Sequence, residues 1–244
     1  MIRKHIPNFI TCLNIGSGSL AVLFAVQGDL KLAVILIFTA ALFDFLDGMA
    51  ARLLHAYSAI GKELDSLADV ISFGLAPGMI MMVMQEYAFF GNPMSASNFG
   101  NLSFWKMICI FSSLLIPVAS ALRLAKFNVD IRQSDSFIGL PTPANAIFIA
   151  ALALILTTGE PGTFSTIIFH PVVLLIITLA MSFLLVSEIK MFSLKFVNLT
   201  WKENKVRFIF LAISAILVIT LTSYGIAASI VLFILISVSK EIKK

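Results

Sequence analysis

Four aspartates occupy two neighbouring segments of this chain, and their spacing is the feature most suited to chemistry. Asp44 and Asp47 lie near the end of one apolar run, and Asp65 and Asp69 lie in the next. On helices with about 100° between successive residues, each pair falls on one face. Four carboxylates brought together repel one another unless cations join them. All-oxygen ligand sets select hard divalent ions such as Mg²⁺, Mn²⁺ or Ca²⁺.

Small and basic residues share the faces of these aspartates. Gly48, Ala51 and Arg52 lie on the face of the first pair, and Gly61 and Ser72 on that of the second. The small residues let a bulky ligand approach the backbone, and the guanidinium of Arg52 presents a fork suited to phosphate. Two divalent ions held ~3.5–4 Å apart can clamp a phosphoryl group during its displacement. The pattern therefore predicts a phosphoryl-transfer site with two divalent cations.

Two plainer interpretations of these acids exist. An aspartate pair near a helix end is often a solvated interfacial face, and an aspartate beside Arg52 is often a simple salt bridge. Acids within membrane helices also mark ion or proton pathways, so a cation-coupled transporter is a second class of function. A pathway predicts acids spread through the membrane depth, whereas these four cluster at one end of their helices.

The chain around these residues has the composition of an integral membrane protein. It contains 244 residues, of which 59% are hydrophobic and only 12% charged, with a mean hydropathy of +1.02. Soluble domains carry about 25% charged residues, and a helix needs ~20 apolar residues to cross a bilayer. The hydrophobic runs predict eight membrane-spanning helices, at about residues 9–26, 30–54, 62–84, 104–124, 143–158, 167–187, 207–222 and 224–240.

The placement of positive charge predicts the orientation of these helices. With both termini in the cytoplasm, only Lys31 and Lys106 of the 17 lysines and arginines fall outside, which leaves 15 on the cytoplasmic side. Cytoplasmic loops carry an excess of this kind, so we place the aspartates at the cytoplasmic face of the cytoplasmic membrane. The net charge of +4 is then explained by membrane anchoring, and the sequence predicts no nucleic-acid partner.

One stretch carries a resemblance to a known family. The sequence "DFLDGMAARLLHAYSAIGKELDSLAD", residues 44–69, fills all eight fixed positions of the pattern D-x2-D-G-x2-A-R-x8-G-x3-D-x3-D. This pattern is the signature of the CDP-alcohol phosphotransferases. The segments "RKHIPNFITCLN", "ALRLAKFN" and "FIGLPTPANA" are similar to segments of the serine-using branch of that family. The resemblance covers roughly residues 1–190.

The resemblance implies a fold and a division of the chain. The expected fold is an all-α polytopic membrane bundle of about eight helices, a six-helix family core followed by two C-terminal helices. Residues 1–190 are expected to form the CDP-alcohol phosphotransferase membrane domain and residues 191–206 a cytoplasmic linker. Residues 207–244 are expected to form a transmembrane hairpin that turns at Ser223–Gly225.

The resemblance also implies roles for particular residues. Two divalent cations, Mg²⁺ or Mn²⁺, would be bound by Asp44, Asp47, Asp65 and Asp69, and Asp69 would also be the general base. The remaining implied contacts are to the CDP part of a lipid substrate. They are Pro7, Asn8, Thr11, Gly48, Ala51, Arg52, Ser58 and Gly61.

The implied reaction joins CDP-diacylglycerol to L-serine, in contact with membrane lipids, and family members are commonly homodimers. Arg123, Lys126 and Asn128 are candidates to bind the serine or a lipid phosphate, whereas Arg123 and Lys126 are otherwise interpreted as anchors that snorkel to the interface. A related enzyme using glycerol 3-phosphate or an inositol phosphate is the alternative. Such an acceptor calls for a denser basic pocket than these residues offer.

Overall fold

The structure is a computed structural model that describes residues 5–93, 102–130, 137–158, 163–192 and 200–242. Helices dominate it, and a two-residue antiparallel bridge between β1 and β2 accompanies them. The elements are α1 (His5–Val26), α2 (Leu30–Leu53), α3 (Ala59–Asp69), a π-helical segment (Val70–Leu75), α4 (Ala76–Phe90), α5 (Phe104–Ser112), α6 (Leu115–Val129), β1 (Phe137–Ile138), α7 (Thr142–Thr158), α8 (Thr163–Ile168), α9 (Pro171–Val186), β2 (Lys190–Met191) and α10 (Trp201–Ile242).

The described helices confirm an all-α polytopic membrane bundle. Five stretches are long and apolar enough to cross a membrane, namely His5–Val26, Leu30–Leu53, Ala59–Phe90, Phe104–Val129 and Asn204–Ser239. Two further apolar helices, Thr142–Thr158 and Pro171–Val186, are shorter. Since α10 folds back on itself, as described next, these stretches supply eight membrane helices. The third begins earlier than the sequence indicated, at Ala59.

The last helix, α10, is two limbs joined by a sharp reversal. Thr222 has φ 48° and ψ −114°, outside the helical region. The rings of Phe210 and Phe233 lie 6.1 Å apart between centroids, whereas a straight helix would separate these residues by ~35 Å. A Cβ on Gly225 would overlap the carbonyl oxygen of Leu217, so only glycine fits at this crossing. The reversal therefore falls at Thr222, one residue before the connection expected from the sequence.

The π-helical segment joins α3 to α4 without a break, directly after Asp69. Its side chains pack tightly against two other helices. A Cβ on Gly18 of α1 would overlap the Oγ of Ser72, and that hydroxyl donates to the carbonyl oxygen of Asn14 at 3.1 Å. A Cβ on Gly74 would meet the Cβ of Ser120 in α6 at 3.0 Å. The segment is thus fixed between α1 and α6.

Candidate active site

A cavity of about 400 Å³ opens where the first turns of α1, the end of α2 and the start of α3 meet. All eight residues that the resemblance assigned to the nucleotide line it, and three of the four aspartates do so as well. These residues are Pro7, Asn8, Thr11, Gly48, Ala51, Arg52, Ser58 and Gly61, with Asp44, Asp47 and Asp65.

Three aspartates form a compact cluster at the inner end of this cavity. Asp44, Asp47 and Asp65 each offer a carboxylate oxygen, and these oxygens all lie within 4.8 Å of one another. Asp47 is 6% exposed, and its Oδ2 has no hydrogen-bond partner among the described residues. Asp69 does not line the cavity, but its side chain interacts with that of Asp44. The Oδ1 of Asp69 is also buried without a partner.

The cluster fits divalent cations. Its donors are all carboxylate oxygens, which suit hard ions. Among the described residues, the buried Oδ2 of Asp47 and the buried Oδ1 of Asp69 have no hydrogen-bond partner. Buried polar atoms are normally hydrogen-bonded or bound to a metal. Three negative charges this close also repel one another strongly. Cation binding would satisfy both the unpaired oxygens and the charge, so Asp44, Asp47 and Asp65 can hold a metal, with Asp69 beside them.

Local hydrogen bonds fix the start of α3 against α1. Ser58 caps α3, and its Oγ accepts a hydrogen bond from the backbone N–H of Gly61 at 3.0 Å. Serine is among the preferred capping residues. A Cβ on Gly61 would lie 3.0 Å from the Oδ1 of Asn8. The close approach of these three residues shapes the wall of the cavity opposite Gly48.

Gly48 offers a direct test of ligand approach, because a Cβ added there would meet nothing within 4 Å. Gly48→Ala should place a methyl group inside the cavity and raise the KM for a CDP-lipid about 5- to 100-fold, the equivalent of 1–3 kcal/mol of overpacking. Its melting temperature should rise slightly, since alanine in a helix is favoured over glycine by about 0.5–1 kcal/mol. Steady-state kinetics and thermal unfolding in detergent measure the two effects.

Gly16→Ala is the matched control for this variant. Gly16 is a glycine within α1 at which an added Cβ would also meet nothing within 4 Å, and it lies outside the cavity. It should show the same small gain in melting temperature and no change in KM. An unchanged KM in both variants would mean that no ligand group approaches Gly48.

The three acceptor candidates separate in the structure. Arg123 and Lys126 line a second, smaller cavity at the ends of α6 and α9. Asn128 lines neither cavity; its Nδ2 donates to the Oγ of Ser66 at 2.9 Å, and its carbonyl oxygen accepts from the Nζ of Lys62 at 3.4 Å. Asn128 therefore links the end of α6 to α3. Its partner Ser66 lies between Asp65 and Asp69 in the sequence.

The Asn128–Ser66 hydrogen bond predicts energetic coupling across this junction. Asn128→Ala and Ser66→Ala should each destabilise the protein, and the double variant should lose less than their sum by about 0.5–1.5 kcal/mol, the net worth of one hydrogen bond. Unfolding of the four proteins in denaturant measures this coupling. Asn128→Ala paired with Ser112→Ala is the control. Ser112 donates to Cys109 in α5, so this pair should be additive. Additivity in both pairs would contradict the tie.

Four residues that line the main cavity were missed by the sequence motif. They are Phe45, Ala56, Tyr57 and Lys62. Tyr57 and Ala56 follow His55, a non-glycine residue with φ 49°. Such positive φ values are uncommon outside glycine and cluster at functional sites. The unusual φ at His55 directs the short connection between α2 and α3 along the cavity, which no fixed position of the motif reveals.

An acid cluster beside an open cavity, in a bundle of membrane helices, is the kind of site expected of an integral membrane enzyme. The chain belongs to the CDP-alcohol phosphatidyltransferase family, whose model matches residues 4–186. The resemblance drawn from the motif is confirmed. The chain is accordingly a phospholipid-synthesis enzyme with CDP-alcohol phosphatidyltransferase activity.

Relatives similar in sequence to this chain include two serine O-phosphatidyltransferases and one archaetidylserine synthase. A CDP-diacylglycerol–serine O-phosphatidyltransferase from Bacillus subtilis is 34% identical over 187 residues, covering 77% of this chain and 89% of the relative. An enzyme of the same name from Mycobacterium leprae is 36% identical over 169 residues, covering 66% of this chain and 51% of the relative. An archaetidylserine synthase from Methanothermobacter thermautotrophicus is 36% identical over 154 residues, covering 61% and 58%.

Proposed function

We propose that this protein transfers the phosphatidyl group of CDP-diacylglycerol to the hydroxyl of L-serine, producing phosphatidylserine and CMP. The observation that carries the proposal is the cavity of about 400 Å³, which connects the expected nucleotide contacts to the acidic cluster. Serine as the acceptor is supported by the names of the relatives, two of which are serine O-phosphatidyltransferases and one an archaetidylserine synthase.

The arrangement suits a substrate that remains in the bilayer. The cavity lies at the end of α2 and the start of α3, where polar groups meet the apolar spans. The diacylglycerol would stay among the helices and lipids, with its diphosphate at this end. The distribution of lysines and arginines supports a cytoplasmic location for this end. Arg52 is exposed and lines the cavity, so its guanidinium can bind a diphosphate oxygen through charge-assisted hydrogen bonds.

Asp44, Asp47, Asp65 and Asp69 would hold two divalent cations, Mg²⁺ or Mn²⁺. Bound there, the cations would neutralise the diphosphate and make CMP a good leaving group. The chain contributes mainly by positioning and electrostatics. Gly48 and Gly61 leave room for the nucleotide, and the cap at Ser58 fixes the helix start on which the second aspartate pair stands.

The proposed step displaces CMP at the phosphorus that carries the diacylglycerol. The serine hydroxyl oxygen forms the new bond to that phosphorus, and Asp69 accepts the hydroxyl proton. The bond from phosphorus to the bridging oxygen breaks, and CMP departs with the electron pair. Asp69 suits this role because its Oδ1 is buried and has no hydrogen-bond partner in the described part of the chain, while its side chain interacts with that of Asp44.

An acceptor panel tests the proposal. The protein, purified in detergent with CDP-diacylglycerol and Mn²⁺ or Mg²⁺, is offered L-serine, glycerol 3-phosphate or an inositol phosphate, and both CMP and the lipid product are measured. We expect CMP release with serine alone, dependent on the divalent ion, and phosphatidylserine as product. CMP release with a phosphorylated acceptor instead would identify a related enzyme of the family and overturn serine. The same preparation gives the oligomeric state, for which the homodimer stays a prediction.

A further inference from the structure

The second cavity contains side chains of both charges. It lies between the end of α6, β1 and the end of α9, and its volume is about 30 Å³. Its lining comprises Arg123, Lys126, Asp130, Ile138, Leu185, Val186, Ser187 and Glu188. Lys126 and Glu188 are exposed at its mouth, where their long side chains can move to admit a small molecule.

The backbone holds this cavity in a defined shape. The N–H of Gly139 donates to the carbonyl oxygen of Ile189, and that of Leu140 donates to Leu184, both at 2.9 Å. Gly139 has φ +76°, and a Cβ there would lie 2.5 Å from the carbonyl oxygen of Leu185. Only glycine permits this contact. The chain after β1 is therefore fastened to the end of α9, and the two form one wall of the cavity.

Arg123 indicates what the cavity binds. It is 7% exposed, and its Nε has no hydrogen-bond partner within the described part of the chain. A buried cation with an unsatisfied donor is costly, so an anionic group is expected beside it. Arg123 also interacts electrostatically with Asp69. An anion bound by Arg123 would therefore lie close to the carboxylate to which the proposed reaction delivers its proton.

Glu188 adds the opposite charge to the same cavity. Its carboxylate shows no hydrogen bond or ion pair among the described residues. A doubly charged phosphorylated acceptor would meet the carboxylates of Glu188 and Asp130 here, and like charges repel. An α-amino acid carries one group of each sign. The charges of the lining thus match a zwitterion and oppose a phosphate monoester.

We propose that this cavity selects the acceptor as a zwitterionic amino acid: Arg123 and Lys126 bind its carboxylate, and Glu188 binds its ammonium group. This assignment rests on the proposed function and names the residue that distinguishes an amino acid from other alcohols. The hydroxyl of the bound amino acid would then lie near Asp69, which interacts electrostatically with Arg123.

The test removes the negative charge of Glu188 and the ammonium group of the ligand in turn. L-Serine is compared with 3-hydroxypropanoate, which has the same hydroxyl and carboxylate but no ammonium group, in the wild type and in Glu188→Gln. Glu188→Gln should lower kcat/KM for L-serine about 10- to 100-fold, mainly through KM, as expected for one hydrogen bond to a charged group. It should leave kcat/KM for 3-hydroxypropanoate and KM for CDP-diacylglycerol unchanged. Glu188→Asp should recover part of the loss.

Dead-end inhibitors give the same comparison with ligands that are not themselves converted to product. L-Alanine keeps both charges and lacks the hydroxyl, and propanoate lacks the ammonium group as well. Glu188→Gln should weaken competitive inhibition by L-alanine and leave inhibition by propanoate unchanged. Glu63→Gln is the matched control, since Glu63 is an exposed glutamate on α3 that lines neither charged cavity. It should behave as the wild type with every ligand.

The outcomes separate the two proposals. If the wild type uses serine and Glu188→Gln affects serine and 3-hydroxypropanoate equally, the ammonium assignment is wrong and the proposed function stands. The same conclusion follows if Glu188→Gln and Glu63→Gln are indistinguishable with serine. If the wild type releases CMP with a phosphorylated acceptor and not with serine, the proposed function and this inference both fall.

Discussion

Asp69→Asn is expected to lower turnover about 10²- to 10⁴-fold, the usual contribution of a general base, while binding of the CDP-lipid persists. Asparagine has nearly the same shape but cannot accept the hydroxyl proton. Asp69 does not line the main cavity, whereas Asp44, Asp47 and Asp65 do. Ligand affinity should therefore depend on the other three. Radiolabelled CDP-diacylglycerol binding and CMP release, measured on one preparation, separate the two effects.

Asp29→Asn is the matched control for this substitution. Asp29 caps α2 through a hydrogen bond from the N–H of Leu32 at 3.0 Å, and it lies outside both cavities. Asparagine caps helices as well as aspartate, so this variant should retain turnover and stability. Loss of CDP-lipid binding in Asp69→Asn together with turnover would show that Asp69 acts chiefly as a metal ligand.

Asp65→Asn is expected to stabilise the metal-free protein while abolishing stabilisation by Mg²⁺ or Mn²⁺. The carboxylate oxygens of Asp44, Asp47 and Asp65 lie within 4.8 Å of one another. Removing one charge at this distance relieves repulsion on the order of 1–4 kcal/mol, depending on the surrounding dielectric. In chelator, a gain of even 1 kcal/mol would raise the melting temperature by roughly 2–4 °C.

With a divalent cation bound, the wild type is expected to be more stable than Asp65→Asn. A cation at 100 times its dissociation constant stabilises by ~2.7 kcal/mol, and Asp65→Asn should lose most of that gain along with turnover. Thermal unfolding with chelator and with added Mn²⁺ measures both shifts, and Asp29→Asn should match the wild type in each. If Asp65→Asn is less stable than the wild type in chelator, the acids are held together by the fold without mutual repulsion.

The contents of the main cavity were predictable because helical geometry constrains neighbours on one element. Asp44, Asp47 and Gly48 share a face by their spacing alone, and the carboxylate of Asp65 on α3 meets those of Asp44 and Asp47 on α2. The hydrophobic runs likewise define the membrane helices, since length and apolarity decide spanning. The residues at the fixed motif positions therefore line one cavity, Asp69 excepted, whereas their neighbours Phe45 and Lys62 line it without being marked by the motif.

Contacts between distant segments were not predictable in this way. Asn128 bonds to Ser66, 62 positions away, and no periodicity relates them. Its role toward an acceptor stays a prediction, and the structure shows that its amide links α6 to α3. No periodicity relates Glu188 to Arg123 either, because only the packing of β1 on the end of α9 brings both to one cavity. The motif also gives no sign of the π-helical segment.

That π-helical segment, Val70–Leu75, adjusts the rotational phase of a single long helix. A π-helical turn accommodates one residue more than an α-helical turn, which offsets everything before it by about 100° relative to everything after it. Asp65 and Asp69 can thus face the reaction centre while Ile80, Met81 and Met84 of α4, all fully buried, face the apolar core. Deleting one residue from Val70–Leu75 would restore a uniform helix and rotate the second aspartate pair away from the first. The direction in which the second aspartate pair faces thus depends on one extra residue in the turn that joins α3 to α4.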